Sequence, residues 1–158
     1  MTIEEEFERA REDKSFRKDF IKTIDMKPYW RYVKSVKYNP LQDYSSYGSS
    51  EKFPSWITTT PPWRLNFLIL GGKSKIEVYP QAFSFKKVDD FLSTLIDHEI
   101  LGHARRYFEG NPLRGREELF VMSQHLTLLQ QRNCSEEYIK IVQKNLKILQ
   151  NHFGSISE

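Results

Sequence analysis

The spacing of apolar residues predicts a long helix from about Lys87 to Phe108. Acidic side chains occupy its first turn, and the sequence Gly110-Asn111-Pro112 is typical of a helix end. The apolar positions are numerous enough to bury one side of this helix against a sheet; they are Phe91, Leu92, Leu95, Ile96 and Ile100.

Three further segments have helical periodicity. Residues 3 to about 24 carry apolar side chains at helical spacings, with acidic residues early and basic residues late, which suits the helix dipole. A second segment runs from about Arg114 to Gln131. The last opens near Cys134, with Ser135 as a predicted N-cap, and lasts to about His152.

Strand patterns precede the long helix. The β-branched run at 56–60 stops at Pro61-Pro62, and the runs at 65–70 and 75–79 flank Gly71-Gly72, which predicts a β-hairpin. Residues 27 to about 50 contain Pro28, Pro40 and a Tyr- and Ser-rich run, so we expect loop there.

These elements predict an α+β fold, with a β-hairpin or small antiparallel sheet packed on a bundle of three to four helices. With 158 residues and 39% hydrophobic content, the chain suits one domain with a modest core. We expect a single domain over 1–158, made of an N-terminal helix (1–26), a loop-rich segment (27–64), and the hairpin with the helices that follow it (65–158).

Charge and cysteine content limit the partners. The net charge of +3, with basic residues scattered rather than clustered, indicates neither nucleic-acid nor membrane binding. The single cysteine, Cys134, excludes an internal disulfide and a zinc finger and fits a reducing compartment. The acidic N-terminus is unlike a Sec signal peptide, so we expect a cytoplasmic protein, with export by another route left open. The oligomeric state is not indicated.

The long helix contains two histidines and a glutamate within the sequence His98-Glu99-Ile100-Leu101-Gly102-His103. Imidazole is the commonest protein ligand for zinc, and the usual helical zinc motif places two histidines four residues apart. Here the spacing is five, which in a regular α-helix turns the two side chains roughly 140° apart. We therefore predict a π-bulge near Gly102, which would return both histidines to one metal.

A catalytic zinc usually has three protein ligands, so a third is required. The next predicted helix offers Glu117, Glu118 and His125. Glu118 shares a helix face with Met122 and His125, and an inward-facing carboxylate needs a partner such as a metal. We therefore predict His98, His103 and Glu118 as ligands of one Zn²⁺ per chain, with Glu117 as their supporting partner or a substitute ligand.

The sequence from His98 to His103 resembles the H-E-x-x-G-H zinc motif of the dipeptidyl peptidase III family, and Glu117-Glu118 is similar to that family's Glu-Glu pair. The resemblance covers only these short stretches. It implies that both histidines and Glu118 bind zinc and that Glu99 is the general base. The order of hairpin, zinc helix and glutamate helix is also similar to compact gluzincin-type metallopeptidases, including domains of bacterial toxins and effectors. This similarity implies a small zincin-like domain that cleaves a specific protein or peptide.

The mechanism expected from the resemblance is peptide-bond hydrolysis, with Glu99 taking a proton from the zinc-bound water. The strand at 75–79 could pair with an extended substrate. The group that stabilises the oxyanion is left open among His125, Arg105, Arg106 and a tyrosine of the 44–47 loop.

Three alternatives use the same residues differently. Glu99 and His103 could be an ordinary polar pair on a helix surface. Glu99, His103, Glu118 and His125 could hold iron, as in helical carboxylate proteins, although a full set of repeated E-x-x-H motifs is missing. The chain could also be a non-catalytic metal-binding or protein-interaction module derived from a metallopeptidase.

Overall fold

The structure is a computed structural model that describes residues 1–45, 53–62, 72–110 and 116–154. Along the chain, helices precede and follow the strands of a small sheet, so the predicted α+β class is confirmed. In the described part of the chain, no helix combines the length and apolar character needed to cross a membrane.

The N-terminal segment forms two helices rather than the single predicted one. These are α1 (Ile3–Glu12) and α2 (Arg17–Thr23), separated by a 3₁₀ turn at Lys14–Phe16. The break occurs at Asp13, whose side chain accepts a hydrogen bond from the Ser15 amide at 2.9 Å and so begins the 3₁₀ turn.

Both N-terminal helices contribute to an aromatic cluster in the core. Phe7 of α1 and Phe20 of α2 are fully buried, with their ring centroids 5.6 Å apart, and each also contacts Phe91 of the long helix at about that distance (5.5 and 5.4 Å). Edge and tilted contacts of this kind add to the free energy of burying aromatic surface. The cluster anchors the beginning of the long helix.

The sheet has three strands in the order β1-β5-β4, where β1 is Val33–Tyr38, β4 is Ile57–Thr60 and β5 is Ser74–Val78. A separate two-stranded pair, β2 (Tyr44–Ser45) and β3 (Phe53–Pro54), lies between β1 and β4 in the chain. Because β1 is parallel to β5 and β4 is antiparallel to it, the sheet is mixed rather than antiparallel. The first strand of the predicted hairpin, at 65–70, lies outside the described residues.

Strand β1 lies in the segment predicted to be loop. Its pairing with β5 is irregular between Val33 and Ser35, which indicates a β-bulge at Lys34. Because the bulge interrupts the alternation of inward and outward side chains, the apolar pattern of this strand does not have the period of two that sequence analysis relies on.

Strand β5 is the central strand, and this position corrects the expected mode of substrate binding. Its residues pair with β1 on one side and with β4 on the other, over Ser74–Val78 and Lys75–Val78 respectively. Because a strand is paired on each side of Lys75–Val78, neither edge of that stretch is open to an extended peptide. The strand predicted at 56–60 is confirmed as β4, which packs on the long helix.

The long helix is continuous from Val88 to Phe108 but changes its geometry along its length. It consists of α3 (Val88–Leu92), a π-helical segment (Ser93–Ala104) and α4 (Arg105–Phe108), which together we name the site helix. The end of the π segment is marked by a hydrogen bond from the Arg105 amide to the Ile100 carbonyl, five residues earlier. The predicted departure from a regular helix is confirmed, and it extends over twelve residues rather than one bulge.

Two further helices complete the fold. Helix α5 (Glu117–Leu128) packs on the site helix, and α6 (Glu136–Phe153) packs on α5. The predicted N-cap of α6 is confirmed, because the Ser135 hydroxyl accepts a hydrogen bond from the Tyr138 amide at 3.2 Å. Arg132, just beyond α5, is paired through two nitrogens with Asp97 of the site helix, at 2.6 and 3.1 Å, which fixes the two helices together at this end.

Gly102 lies in the contact between the site helix and α5, opposite Val121. A β-carbon built on Gly102 would lie 2.5 Å from Cγ1 of Val121 on α5, a distance that requires the Val121 side chain or one of the two helices to shift. The predicted role of this glycine is to ease backbone distortion, whereas in the structure it allows a close approach of the two helices. That approach brings the first turn of α5 over the two histidines.

We predict that Gly102→Ala lowers the free energy of unfolding by roughly 1–3 kcal/mol, the usual range for overpacking a core. Urea unfolding of the full chain would measure it. In a double-mutant cycle, Val121→Ala should relieve part of the loss, because it removes the methyl group that the new β-carbon meets. Strictly additive effects of the two substitutions would contradict this account of Gly102.

Candidate metal centre

The π-helical geometry places His98 and His103 on the same face of the site helix. Hydrogen bonds from residue i to i+5 put residues five apart one turn above each other, as four-residue spacing does in an α-helix. The two imidazole rings accordingly lie with their centroids 5.1 Å apart, and both histidines are buried. The five-residue spacing of the histidines, which conflicts with a regular α-helix, is the spacing that brings two side chains together in this π-helical segment.

Glu118, in the first turn of α5, joins the two histidines. One carboxylate oxygen lies 2.8 Å from Nε2 of His98, and the other lies 2.8 Å from Nε2 of His103. Burial works to raise the pKa of this carboxyl, but the two imidazoles outweigh it and hold the pKa well below its usual range. Within the described ranges, these three side chains form a group able to share an ion, with one ligand atom from each within 4.8 Å of the others.

Glu117 holds His103 from the other side of the ring. Its carboxylate lies 3.2 Å from Nδ1 of His103 and also accepts a short hydrogen bond from the Tyr107 hydroxyl. Burial works to lower the pKa of His103, but the carboxylates of Glu118 and Glu117 raise it well above its ordinary value. A carboxylate that orients a histidine through its second nitrogen is a regular feature of metal sites.

The burial of the two glutamates differs from the prediction, in which Glu118 faces inward more than Glu117. Glu117 is the more buried residue, since it packs between His103 and Tyr107, whereas the side chain of Glu118 is 29% exposed. The other oxygen of Glu117, Oε1, is buried and makes no hydrogen bond to a described residue. Both glutamates therefore contact His103, one at each ring nitrogen, and Glu118 also contacts His98.

His98 is held by a third histidine. Its Nδ1 lies 3.2 Å from Nδ1 of His125 on α5, which is only 2% exposed. The other ring nitrogen of His125, Nε2, lies 2.7 Å from the Ser93 hydroxyl and 3.3 Å from the Tyr138 hydroxyl. Burial, together with the neighbouring His98, holds the pKa of His125 well below its ordinary value, so this imidazole is neutral at neutral pH.

Glu99 faces the same space without belonging to the three-residue group. Its carboxylate accepts a hydrogen bond from the Thr59 hydroxyl of β4 at 2.5 Å, and its other oxygen lies 3.9 Å from Nε2 of His98. Burial raises the pKa of the Glu99 carboxyl, against the opposing effect of the two histidines. A carboxylate in such an environment is a better proton acceptor than an exposed one.

The histidines and glutamates line a cavity of about 360 Å³. Its walls come from the site helix, β4, α5 and α6, and its polar side contains His98, Glu99, His103 and Glu118. The rest of the lining is largely apolar and aromatic; it includes Trp56, Ile57, Met122, Tyr138 and Val142. A concave site with a few convergent polar groups in apolar walls is typical of ligand-binding sites.

The donor set fits a bound metal ion. Two imidazole nitrogens and one carboxylate oxygen match the three protein ligands of many catalytic zinc sites, and they also match the facial ligand set of non-haem iron. The second nitrogen of each imidazole is occupied by another group, so Nε2 is the atom left for an ion on both histidines. The structure thus contains a possible metal site whose metal is not defined by geometry alone.

The residues considered for stabilising the oxyanion lie in different parts of the structure. Arg105 and Arg106 line a different cleft with Phe120, where the Arg106 guanidinium stacks 3.9 Å from the Phe120 ring. Tyr44 is exposed on β2, and Tyr47 lies outside the described residues. Of the oxyanion candidates among the described residues, His125 therefore lines the cavity and the arginines do not.

Two contributors were missed by sequence analysis. Tyr107 follows His103 by four residues and so shares its helix face, a spacing that could have identified it. Thr59 had no such signal, because its contact with Glu99 joins positions forty residues apart.

Comparisons of the chain with protein-family models, curated proteins and solved structures found no match.

We predict that the protein, purified without added metal and then titrated with Zn²⁺, binds one ion per chain and becomes more stable. The gain should be about 2.7 kcal/mol when free Zn²⁺ is a hundred times the dissociation constant. His98→Ala, His103→Ala and Glu118→Ala should each abolish the gain, because each removes a ligand atom. Thermal unfolding with and without Zn²⁺ would measure it.

His152→Ala is the matched control, since His152 is exposed near the end of α6, away from the three-residue group. Its zinc-dependent stabilisation should equal that of the unmodified chain. Glu117→Gln separates the two glutamates: we expect one ion per chain to be retained, with affinity lower by about 10- to 100-fold. If Glu117→Gln lost stoichiometric zinc binding while Glu118→Ala kept it, Glu117 would be the ligand and Glu118 the supporting carboxylate.

Proposed function

We propose that this chain is a zinc-dependent peptidase that cleaves a specific protein or peptide substrate. The observation that supports it is the position of Glu99, a buried carboxylate that faces the same cavity as the possible metal ligands but is not one of them. A hydrolase needs this division between groups that hold the ion and a group that moves protons.

In this proposal, His98, His103 and Glu118 hold the ion. Bound there, zinc would supply Lewis acidity, which polarises a peptide carbonyl and lowers the pKa of a water molecule towards neutrality. Glu99 would take a proton from the attacking water and transfer it to the amine that leaves. The Thr59 hydroxyl bond fixes the orientation of the Glu99 carboxylate in the cavity, and Glu117 and His125 fix the two imidazoles.

The apolar part of the cavity supports a substrate with a large apolar side chain beside the bond that is cleaved. The rings of Trp56 and Tyr138 both pack on Phe85, at centroid distances of 4.8 and 5.2 Å, which makes this wall rigid. Val142 of α6 and Met122 of α5 complete it, and both side chains are buried. A side chain bound there would be removed from water next to the possible ion.

Iron is the second candidate, because two histidines and one carboxylate also form the ligand set of non-haem iron oxygenases. Glu99 favours zinc hydrolysis, since a buried carboxylate that lies beside the three possible ligands and accepts a proton has a direct role in hydrolysis. Metal analysis of protein purified under anaerobic conditions distinguishes them. About one zinc per chain supports the peptidase, and iron with little zinc supports the alternative.

We predict that Glu99→Gln keeps zinc binding but lowers peptide cleavage by about 10²- to 10⁴-fold, the usual contribution of a general base. The amide is nearly the same size but cannot accept the proton. Cleavage can be followed with a library of fluorogenic peptides and zinc binding by competition with a chelator. Glu137→Gln, the same change at an exposed position of α6, is the control.

A Glu99→Gln variant that cleaves as well as the unmodified chain would contradict the proposed mechanism. Stoichiometric zinc without cleavage of any library peptide or of proteins in an extract would instead indicate a binding module. Should the variant trap a bound protein during affinity purification, that protein would identify the natural substrate.

We further predict a preference of about tenfold or more for Phe over Ala at one of the two positions flanking the cleaved bond. Val142→Phe should remove this preference by filling the apolar wall, while zinc affinity and cleavage of the Ala peptide persist. Val36→Phe, the same change at a partly buried position of β1, controls for general destabilisation. An unchanged preference in folded Val142→Phe would show that the side chain binds elsewhere.

A further inference from the structure

A row of buried polar side chains runs inward from His98, behind the possible metal site. It passes from His125 to the hydroxyl of Tyr138 on α6 and then to the hydroxyl of Thr94 on the site helix. It ends at the backbone carbonyl of Asp90, to which Thr94 donates a hydrogen bond at 3.0 Å. Groups buried this deeply require hydrogen-bond partners, and here each group has one on either side.

The carbonyl at the end of this row sets the direction of the hydrogen bonds between Thr94, Tyr138 and His125. A carbonyl oxygen can only accept, so the single hydroxyl proton of Thr94 is used there. The Tyr138 hydroxyl, 2.7 Å from the Thr94 oxygen, must therefore donate to it. Having used its own proton, the Tyr138 oxygen can only accept from Nε2 of His125, at 3.3 Å.

This order of donors and acceptors favours the His125 tautomer with its proton on Nε2. The Ser93 hydroxyl oxygen, 2.7 Å from the same nitrogen, is placed to share that proton as a second acceptor. A second proton on Nδ1 would make the ring a cation at a position only 2% exposed, where its hydrogen-bonding neighbours are hydroxyls and another imidazole. Burying such a charge without a carboxylate in contact is strongly unfavourable. Nδ1 of His125 is therefore a hydrogen-bond acceptor.

We propose that His125 is a positioning residue that, when an ion is bound, holds His98 in the Nδ1-protonated tautomer, with its Nε2 lone pair directed to that ion. The 3.2 Å contact between the two Nδ1 atoms then runs from His98 as donor to His125 as acceptor. His103 is held by a carboxylate, whereas His98 is held by a neutral imidazole whose own tautomer is set by Tyr138 and Thr94. The two ligands are thus supported by acceptors of different charge.

The tautomers can be read directly by NMR of the full chain with ¹⁵N-labelled histidine, first without metal and then with Zn²⁺. We expect the His125 ring to show a protonated Nε2 and an unprotonated Nδ1 in both samples. With Zn²⁺ bound, His98 should be protonated at Nδ1. A His125 ring protonated at Nδ1 would overturn the proposal, and the measurement needs no substitution that could disturb folding.

Two substitutions test the effect on the ion. His125→Leu removes the acceptor and should weaken Zn²⁺ binding by about 10- to 100-fold, the range for groups that orient a metal ligand. His125→Gln supplies an amide oxygen as acceptor and an amide nitrogen as donor, so it should restore most of that affinity. Ser123→Ala on the same helix, whose hydroxyl bonds to the Leu119 carbonyl, is the matched control and should bind as the unmodified chain does.

The pattern of the two variants decides between positioning and packing. Wild-type affinity in His125→Leu, or equal weakening in both variants, would overturn the proposal. Because the readouts are Zn²⁺ affinity and histidine tautomer, neither depends on peptide cleavage. The peptidase function can fail while this inference stands, and the reverse is also true.

Discussion

Backbone hydrogen bonds that span five residues instead of four are the constraint on which this site depends. They align His98 with His103, and the same face then meets α5, which contributes Glu118. In a regular α-helix the two imidazoles would point to different sides, and no single side chain of α5 could contact both. The geometry of the helix backbone, rather than the choice of side chains alone, makes the three-residue group possible.

Close packing converts this alignment into a site. Gly102 removes the side chain that would hold α5 away, so the carboxylates of the first turn of α5 reach both rings. Beyond the other end of α5, Arg132 pairs with Asp97, which directly precedes His98 on the site helix. The site is therefore held at both ends of one helix–helix contact, as preorganised binding requires.

Much of this arrangement could be predicted from the sequence, because it depends on local signals. The long helix, its departure from regular geometry, α6 with its Ser135 cap, and the strand at 57–60 all follow from periodicity, capping or spacing within a short segment. The candidate ligands were identified in the same way, from residue type and helix position.

The remainder depends on contacts between distant segments, for which one sequence has no signal. The bulge at Lys34 concealed β1, and the parallel pairing of β1 with β5 placed the expected substrate strand in the middle of the sheet. The bond from Thr59 to Glu99 and the row from Tyr138 to His125 join residues that are brought together only by folding. The break at Asp13 was local, but a short polar cap within an amphipathic pattern does not disturb its periodicity.

The π segment also affects how sites of this kind can be found. Its wider turns place ligands that share a face five residues apart, rather than four. In this chain the same segment therefore carries the histidine pair and also Gly102, which contacts α5. A search for histidines four residues apart passes over this helix. Metal helices with five-residue spacing should instead be sought where a glycine directly precedes the second histidine and an acidic pair opens the next helix.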